Sequence, residues 1–188
     1  MKKFLTAATC LVFLAVLAGG VAHAQQTTSG DKKMDGYLNR INKEAEQDPD
    51  GFVEHLSQQY GIPKEEIRQA REQHRLTYGD TYMAAAIAKQ SQKKVGDVAA
   101  QYKQKQGTGQ GWGVTAQENG VKPGSAQFKQ MKTQAKGSVS QLKARNRYRL
   151  NEQKMEQSKK RSEGASKQSG QKGKSQSQGQ SKGKGKKK

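Results

Sequence analysis

The sequence predicts an all-α fold, a small bundle of short helices followed by a disordered basic C-terminal tail. Three observations carry that reading. Apolar residues between Met34 and Met131 recur at intervals of three and four, and no stretch there alternates with period two. Charge is also divided unevenly. Residues 25–131 hold 15 Lys/Arg against 13 Asp/Glu, whereas residues 132–188 hold 18 against 3. A near-neutral body therefore precedes a strongly basic tail.

The chain opens MKKFLTAATCLVFLAVLAGGVAHA. Lys2 and Lys3 precede an apolar run from Phe4 to Ala18, and Ala22-His23-Ala24 is a small-residue cleavage site. Residues 1–24 read as a signal peptide, cut after Ala24, which implies a periplasmic or secreted protein. The run is shorter than the ~20 residues a membrane span needs. The only other apolar run, Met83 to Ala88, is shorter still, so no transmembrane segment is expected after cleavage. Cys10 is the single cysteine and lies inside the signal, so the mature chain has no disulfide and no thiol chemistry.

Residues 25–33 read as a flexible linker and 34–135 as the helical domain. Met34, Leu38, Ile41 and Ala45 form the first stripe. Asp48-Pro49-Asp50-Gly51 is turn chemistry, with Asp50 placed to cap a second helix bearing Phe52, Val53, Leu56 and Tyr60. Gly61 suits that helix's C-terminus, and Pro63 the start of a third whose inner face is Ile67, Ala70 and His74. Asp80 is the expected cap of a fourth, with Tyr82, Met83, Ala86 and Ile87. Val95, Val98, Ala99 and Tyr102 outline a fifth, which the glycines from Gly107 end.

The stretch GTGQGWGVTAQENGVKPGS (residues 107–125) begins like a phosphate loop. A helical segment precedes it rather than a strand, and the Lys-Ser/Thr of a P-loop is missing, so no nucleotide site is expected. Its second half reads as a short helix, a turn at Gly120 and Pro123-Gly124, and a new helix capped by Ser125 that turns Phe128 and Met131 inward. A helix pair of this shape can read DNA, but it is more often a unit of core building. Trp112 is expected to lie against Val98 and Tyr102 in the core. Trp112, Gly113, Ala116, Gly120, Pro123, Gly124, Ser125 and Phe128 resemble a GWG-x-x-A-x-x-x-G-x-x-PGS-x-x-F motif of uncharacterised exported bacterial proteins. The likeness spans roughly residues 78–132 and departs from the pattern at Thr115 and Asn119. It implies the helical domain and no particular activity.

Catalytic groupings are missing. His55 and His74 stand in no metal spacing, there is no nucleophile elbow, and Asp48 and Asp50 lack the remaining ligands of a calcium loop. The chain reads as non-enzymatic and without cofactor or metal. Residues 136–162 read as a partly helical basic segment in which Val139, Leu142 and Leu150 are too sparse for a full stripe. Arg145, Arg147 and Arg149 form a cationic cluster around Tyr148. Residues 163–188, rich in Lys, Gly, Ser and Gln, read as disordered. The candidate polyanion-binding residues are Lys143, Arg145, Arg147, Arg149, Lys159, Lys160, Arg161, Lys172, Lys174, Lys182, Lys184, Lys186, Lys187 and Lys188. The expected partners are anionic envelope polymers or lipids, with sequence-blind binding of nucleic acid in vitro. An exported interaction protein is the leading reading. A DNA binder with an unprocessed signal, and an envelope chaperone, are the alternatives.

Overall fold

A computed structural model describes residues 29–172, with side chains described as far as Arg161. The expected signal peptide, residues 25–28 of the expected linker and residues 173–188 lie outside the described residues. Seven helices and no strand make up the described chain. They are α1 (Lys32–Gln47), α2 (Pro49–Tyr60), α3 (Lys64–Gln73), α4 (Tyr78–Ser91), α5 (Val95–Gln106), α6 (Trp112–Glu118) and α7 (Ala126–Lys172). No helix among the described residues is long and apolar enough to cross a membrane.

Order begins earlier than the sequence suggests. Asp31 caps α1 by accepting from the backbone N–H groups of Lys33 and Met34 at 3.0 and 2.9 Å. Ser29 is buried, its N–H donates to Asp35 at 2.6 Å, and its carbonyl lies over Gly113. The expected linker therefore ends by Ser29, because a seat for its backbone exists beside α6.

Two caps differ from expectation. Asp48, not Asp50, caps α2, accepting from the Gly51 N–H at 3.1 Å with Pro49 in the first helical position. Asp50 sits in the first turn and pairs with Arg68 at 3.0 Å. Thr77, not Asp80, caps α4, and Asp80 is the third-position partner of a capping box. Gly61 ends α2 in the left-handed region (φ 69°), as expected.

The core is organised around α4, whose residues 79–88 are all buried. A helix apolar on every side needs neighbours on every side, and α1, α2, α3 and α5 supply them. Gly79 allows the closest approach. A Cβ there would lie 3.0 Å from the Leu38 carbonyl oxygen, and its N–H donates to Asn42 at 2.6 Å. The expected stripes of α1, α2 and α5 are buried as read. His74 is half-exposed at the end of α3.

Trp112 is fully buried and stacks on Tyr102, ring centroids 3.8 Å apart and planes 9° from parallel. Its indole N–H donates to the buried Asp80 carboxylate at 2.7 Å, and the Thr77 hydroxyl donates to the other carboxylate oxygen at 2.7 Å. Burial, with Asp80 beside it, pushes the Tyr102 phenol up. The carboxylate is thus held by neutral donors and by the N-terminal end of α4. Thr115 and Asn119, the departures from the motif, are both buried, and Asn119 donates to the Thr115 carbonyl at 2.7 Å.

The join from α6 to α7 is built from backbone bonds. The N–H groups of Val121 and Gly120 donate to the carbonyls of Ala116 and Gln117 at 2.8 and 3.0 Å, a Schellman stop with Gly120 at φ 80°. Pro123 and Gly124 (φ 82°) then turn the chain, closed by Ser125 N–H to Lys122 carbonyl at 3.0 Å. The Ser125 hydroxyl accepts from Phe128 N–H at 3.2 Å and starts α7.

The seventh helix is not short. Its 47 residues extend about 70 Å at 1.5 Å per residue. Phe128, Met131, Ala135, Ser138, Leu142 and Asn146 are buried, and α1 is the principal partner of this face. The domain boundary read at residue 135 therefore falls inside a packed helix. The sequence concealed it because the stripe is completed by alanine, serine and asparagine rather than by large apolar residues. The backbone of α7 is helical through Lys172, so the tail read as disordered from residue 163 starts within the helix.

Candidate polyanion-binding surface

The basic residues of α7 divide by which side of the helix they occupy. Arg145 and Arg149 belong to the body. Arg145 Nε donates to Asp48 at 2.9 Å, and Arg149 donates to the carbonyl of Gln47, the last residue of α1. Asn146 adds bonds to the Glu44 carbonyl and carboxylate, both at 2.9 Å. No basic residue lies in the last turn of α1 itself. Helix 7 therefore supplies, from about a hundred residues away, the cations and donors that a helix C-terminus favours. Gly51 makes room for this clasp, since a Cβ there would collide with the Asp48 carboxylate and Arg145 Nε.

The cluster read around Tyr148 is accordingly split. On a helix residue 147 lies about 200° round from both 145 and 149, which are themselves only about 40° apart, so 147 faces the opposite way. Arg147 is exposed and Tyr148 points to solvent at 67% exposure. Lys143, Lys159, Lys160 and Arg161 are also exposed. Lys172 is the last helical residue, and its side chain lies outside the described residues, as do Lys174, Lys182, Lys184, Lys186, Lys187 and Lys188.

Three further exposed cations of α7 stand outside any basic run of the sequence. They are Lys129, Lys136 and Lys154. Together with Lys143, Arg147 and Arg161 they follow spacings of seven, seven, four, seven and seven residues. At 3.6 residues per turn, all six point within about 20° of one direction. None of the six forms an ion pair among the described residues. Glu152 and Glu156 fall on the far side of the helix.

A concavity lies between α2 and α7. It is an open cleft of about 430 Å³ lined by His55, Gln58, Gln59, Gln134, Gly137, Ser138 and Gln141. The Ser138 hydroxyl donates to Gln59 at 2.8 Å, and the Gln59 amide faces the hydroxyls of Tyr60 and Tyr82 at 3.1 and 3.4 Å. His55 Nε2 and Gln134 Oε1 are buried without protein partners. Burial, and then the positive charge of Arg145, hold His55 below its ordinary pKa. The side chains lining the cleft are those of His, Gln and Ser, and no nucleophile among them is paired with a base. No group of three or more His, Cys, Asp or Glu residues is arranged to hold a metal among the described residues.

The chain matches no protein-family model, no curated protein and no solved structure.

Proposed function

We propose that this chain is an exported, non-enzymatic interaction protein whose helical body presents a basic C-terminal arm to polyanions at the cell envelope or outside it. The observation that carries the proposal is the contrast within α7. Arg145 and Arg149 are consumed by contacts to the body, while Lys129, Lys136, Lys143, Arg147, Lys154 and Arg161 stand exposed and unpaired among the described residues. Exposed cations with no internal role attract anionic polymers by releasing their counterions. Export rests on the features of residues 1–24, and the resemblance of residues 78–132 to exported bacterial proteins agrees with it.

The DNA-binding alternative gains one observation. Gln127, Lys129 and Gln130 are exposed at the start of α7, where a recognition helix would contact bases. A chaperone would need an apolar concavity. Among the described residues the exposed large apolar side chains are only Tyr148, Leu150 and Met155, all on α7.

One experiment tests the reading. Protein recovered from the producing cell is sized by mass spectrometry and titrated with heparin and with duplexes of unrelated sequence across a salt series. The expected result is a chain beginning at Gln25, with affinity that falls steeply with salt and ignores base sequence. A chain that keeps Met1, or one that prefers a single DNA sequence, overturns the proposal in favour of the DNA binder. Failure to bind either polymer near physiological salt overturns both.

A further inference from the structure

We infer that the six-residue cationic face of α7 is a linear docking track for an extended acidic polysaccharide, which lies along the helix axis with its carboxylate or sulfate groups turned towards the protein. This rests on the proposal that the basic arm binds polyanions, and it names both the surface and the class of ligand. Lys129 and Arg161 are 32 residues apart, so the track is about 48 Å long. Seven-residue steps place cations about 10.5 Å apart, and the four-residue step from Lys143 to Arg147 about 6 Å apart. A compact anion could touch only one or two of them. A polymer extended alongside can touch all six.

The face is uniform as well as long. Glu152 and Glu156 lie on the opposite side, so neither carboxylate of the described part of α7 interrupts it. The inward face of the same helix, through Leu142 and Asn146, is held by the body, which fixes where the track points over its first half. Arg147 and Arg161 contribute planar forks suited to two-point contact with a carboxylate or sulfate.

Other polyanionic surfaces fit less well. A helix lying in a lipid surface needs an apolar face, and the distal half of α7 offers Tyr148 and Met155 on one side and Leu150 on another. Single-stranded nucleic acid is held by aromatic stacking. Tyr148 is the only exposed aromatic among the described residues, and it lies about 100° round the helix from Arg147. The phosphates of a duplex wind away from a straight row of cations, whereas a flexible glycan can follow it.

The test separates geometry from net charge. Three exposed cations are exchanged with exposed neighbours in the full chain: Lys129→Gln with Gln130→Lys, Lys143→Ala with Ala144→Lys, and Lys154→Gln with Gln153→Lys. Composition and net charge are unchanged, but three cations move about 100° off the track. Circular dichroism and thermal unfolding confirm that both proteins fold alike. Binding is measured with polygalacturonate of defined length, and with a duplex of similar length. The expected result is a loss of about tenfold in polyuronate affinity with a visibly shallower salt slope, and little change for the duplex. Equal polyuronate affinity before and after the exchange overturns the track while leaving a charge-driven arm intact. A larger loss for the duplex than for the polyuronate also overturns it, by making nucleic acid the better occupant. No binding of either polymer by the unaltered chain removes the polyanion reading itself.

Discussion

Residues 126–149 and 150–161 belong to one continuous helix and are both rich in Lys and Arg, yet they meet different surroundings. In the first stretch a buried residue recurs every three or four positions from Phe128 to Asn146, and two of its arginines hold the end of α1. In the second every residue is exposed to solvent, including Leu150 and Met155. The role of a cation here is set by the side of the helix it occupies. Arg147 lies two residues from both Arg145 and Arg149, and it alone of the three has no bond to the body. Proximity in sequence grouped them, and helical geometry separates them.

Truncation should expose this difference most strongly. A chain ending at residue 135 loses Ser138, Leu142 and Asn146 from the core together with the clasp on α1. One buried leucine and several hydrogen bonds to otherwise unpaired carbonyls put the loss at about 4 kcal/mol or more, enough to threaten a small domain. A chain ending at residue 150 keeps those contacts and should unfold in urea at the same midpoint as the full chain. Equal midpoints for both truncations would show that residues 136–150 of α7 contribute no stability to the body.

Single arginines should sharpen the comparison at smaller cost. Arg149→Gln removes the cation at the end of α1 and the donor to the Gln47 carbonyl, an expected loss of about 1–2 kcal/mol in chemical denaturation. Arg147→Gln should leave stability within about 0.5 kcal/mol, as for an exposed residue without a partner, and should weaken heparin binding instead. If Arg147→Gln destabilises the fold as much as Arg149→Gln does, the division of α7 into an inner and an outer side is wrong.

Much of the body could be read in advance, because each of its early helices carries its own apolar stripe and its own stop. Met34, Leu38, Ile41 and Ala45 predict α1 without help, and Gly61 and Pro123-Gly124 do the work that their backbone chemistry suggests. The first half of α7 could not be read that way. Its inward residues at 135, 138 and 146 are Ala, Ser and Asn, which are as common on exposed faces, and only α1 opposite gives them their place. The caps at Asp48 and Thr77 were missed for a related reason. Aspartates sit two and three residues away, and only the backbone path decides which oxygen meets the open N–H groups. The cationic face is written in the sequence as spacings of seven and four rather than as a cluster, and Lys129, Lys136 and Lys154 have no basic neighbour.

The weakest expected effect concerns pH and again separates the inner side of α7 from the outer. His55 faces Gln134, Ser138 and Gln141 across the cleft, where burial and the Arg145 charge disfavour its protonated form. Its folded pKa is therefore below its unfolded value, and the unfolded chain takes up more protons once the pH falls below about 6.5. Stability should decline as pH drops through that value, and the decline from this residue should stop once the pH passes the lower folded pKa. The slope cannot exceed one proton per molecule. Asp31 and Glu54, held low by Lys132 and Lys64, add losses of the same sign, but only at more acid pH where carboxylates titrate. His55→Gln should flatten the near-neutral part of a plot of unfolding free energy against pH and leave the acid limb unchanged. Removing residues 151–188 should alter neither part, because no described residue beyond 150 lines the cleft. A near-neutral slope that survives His55→Gln would assign the titration to another group and detach it from the inner side of the helix.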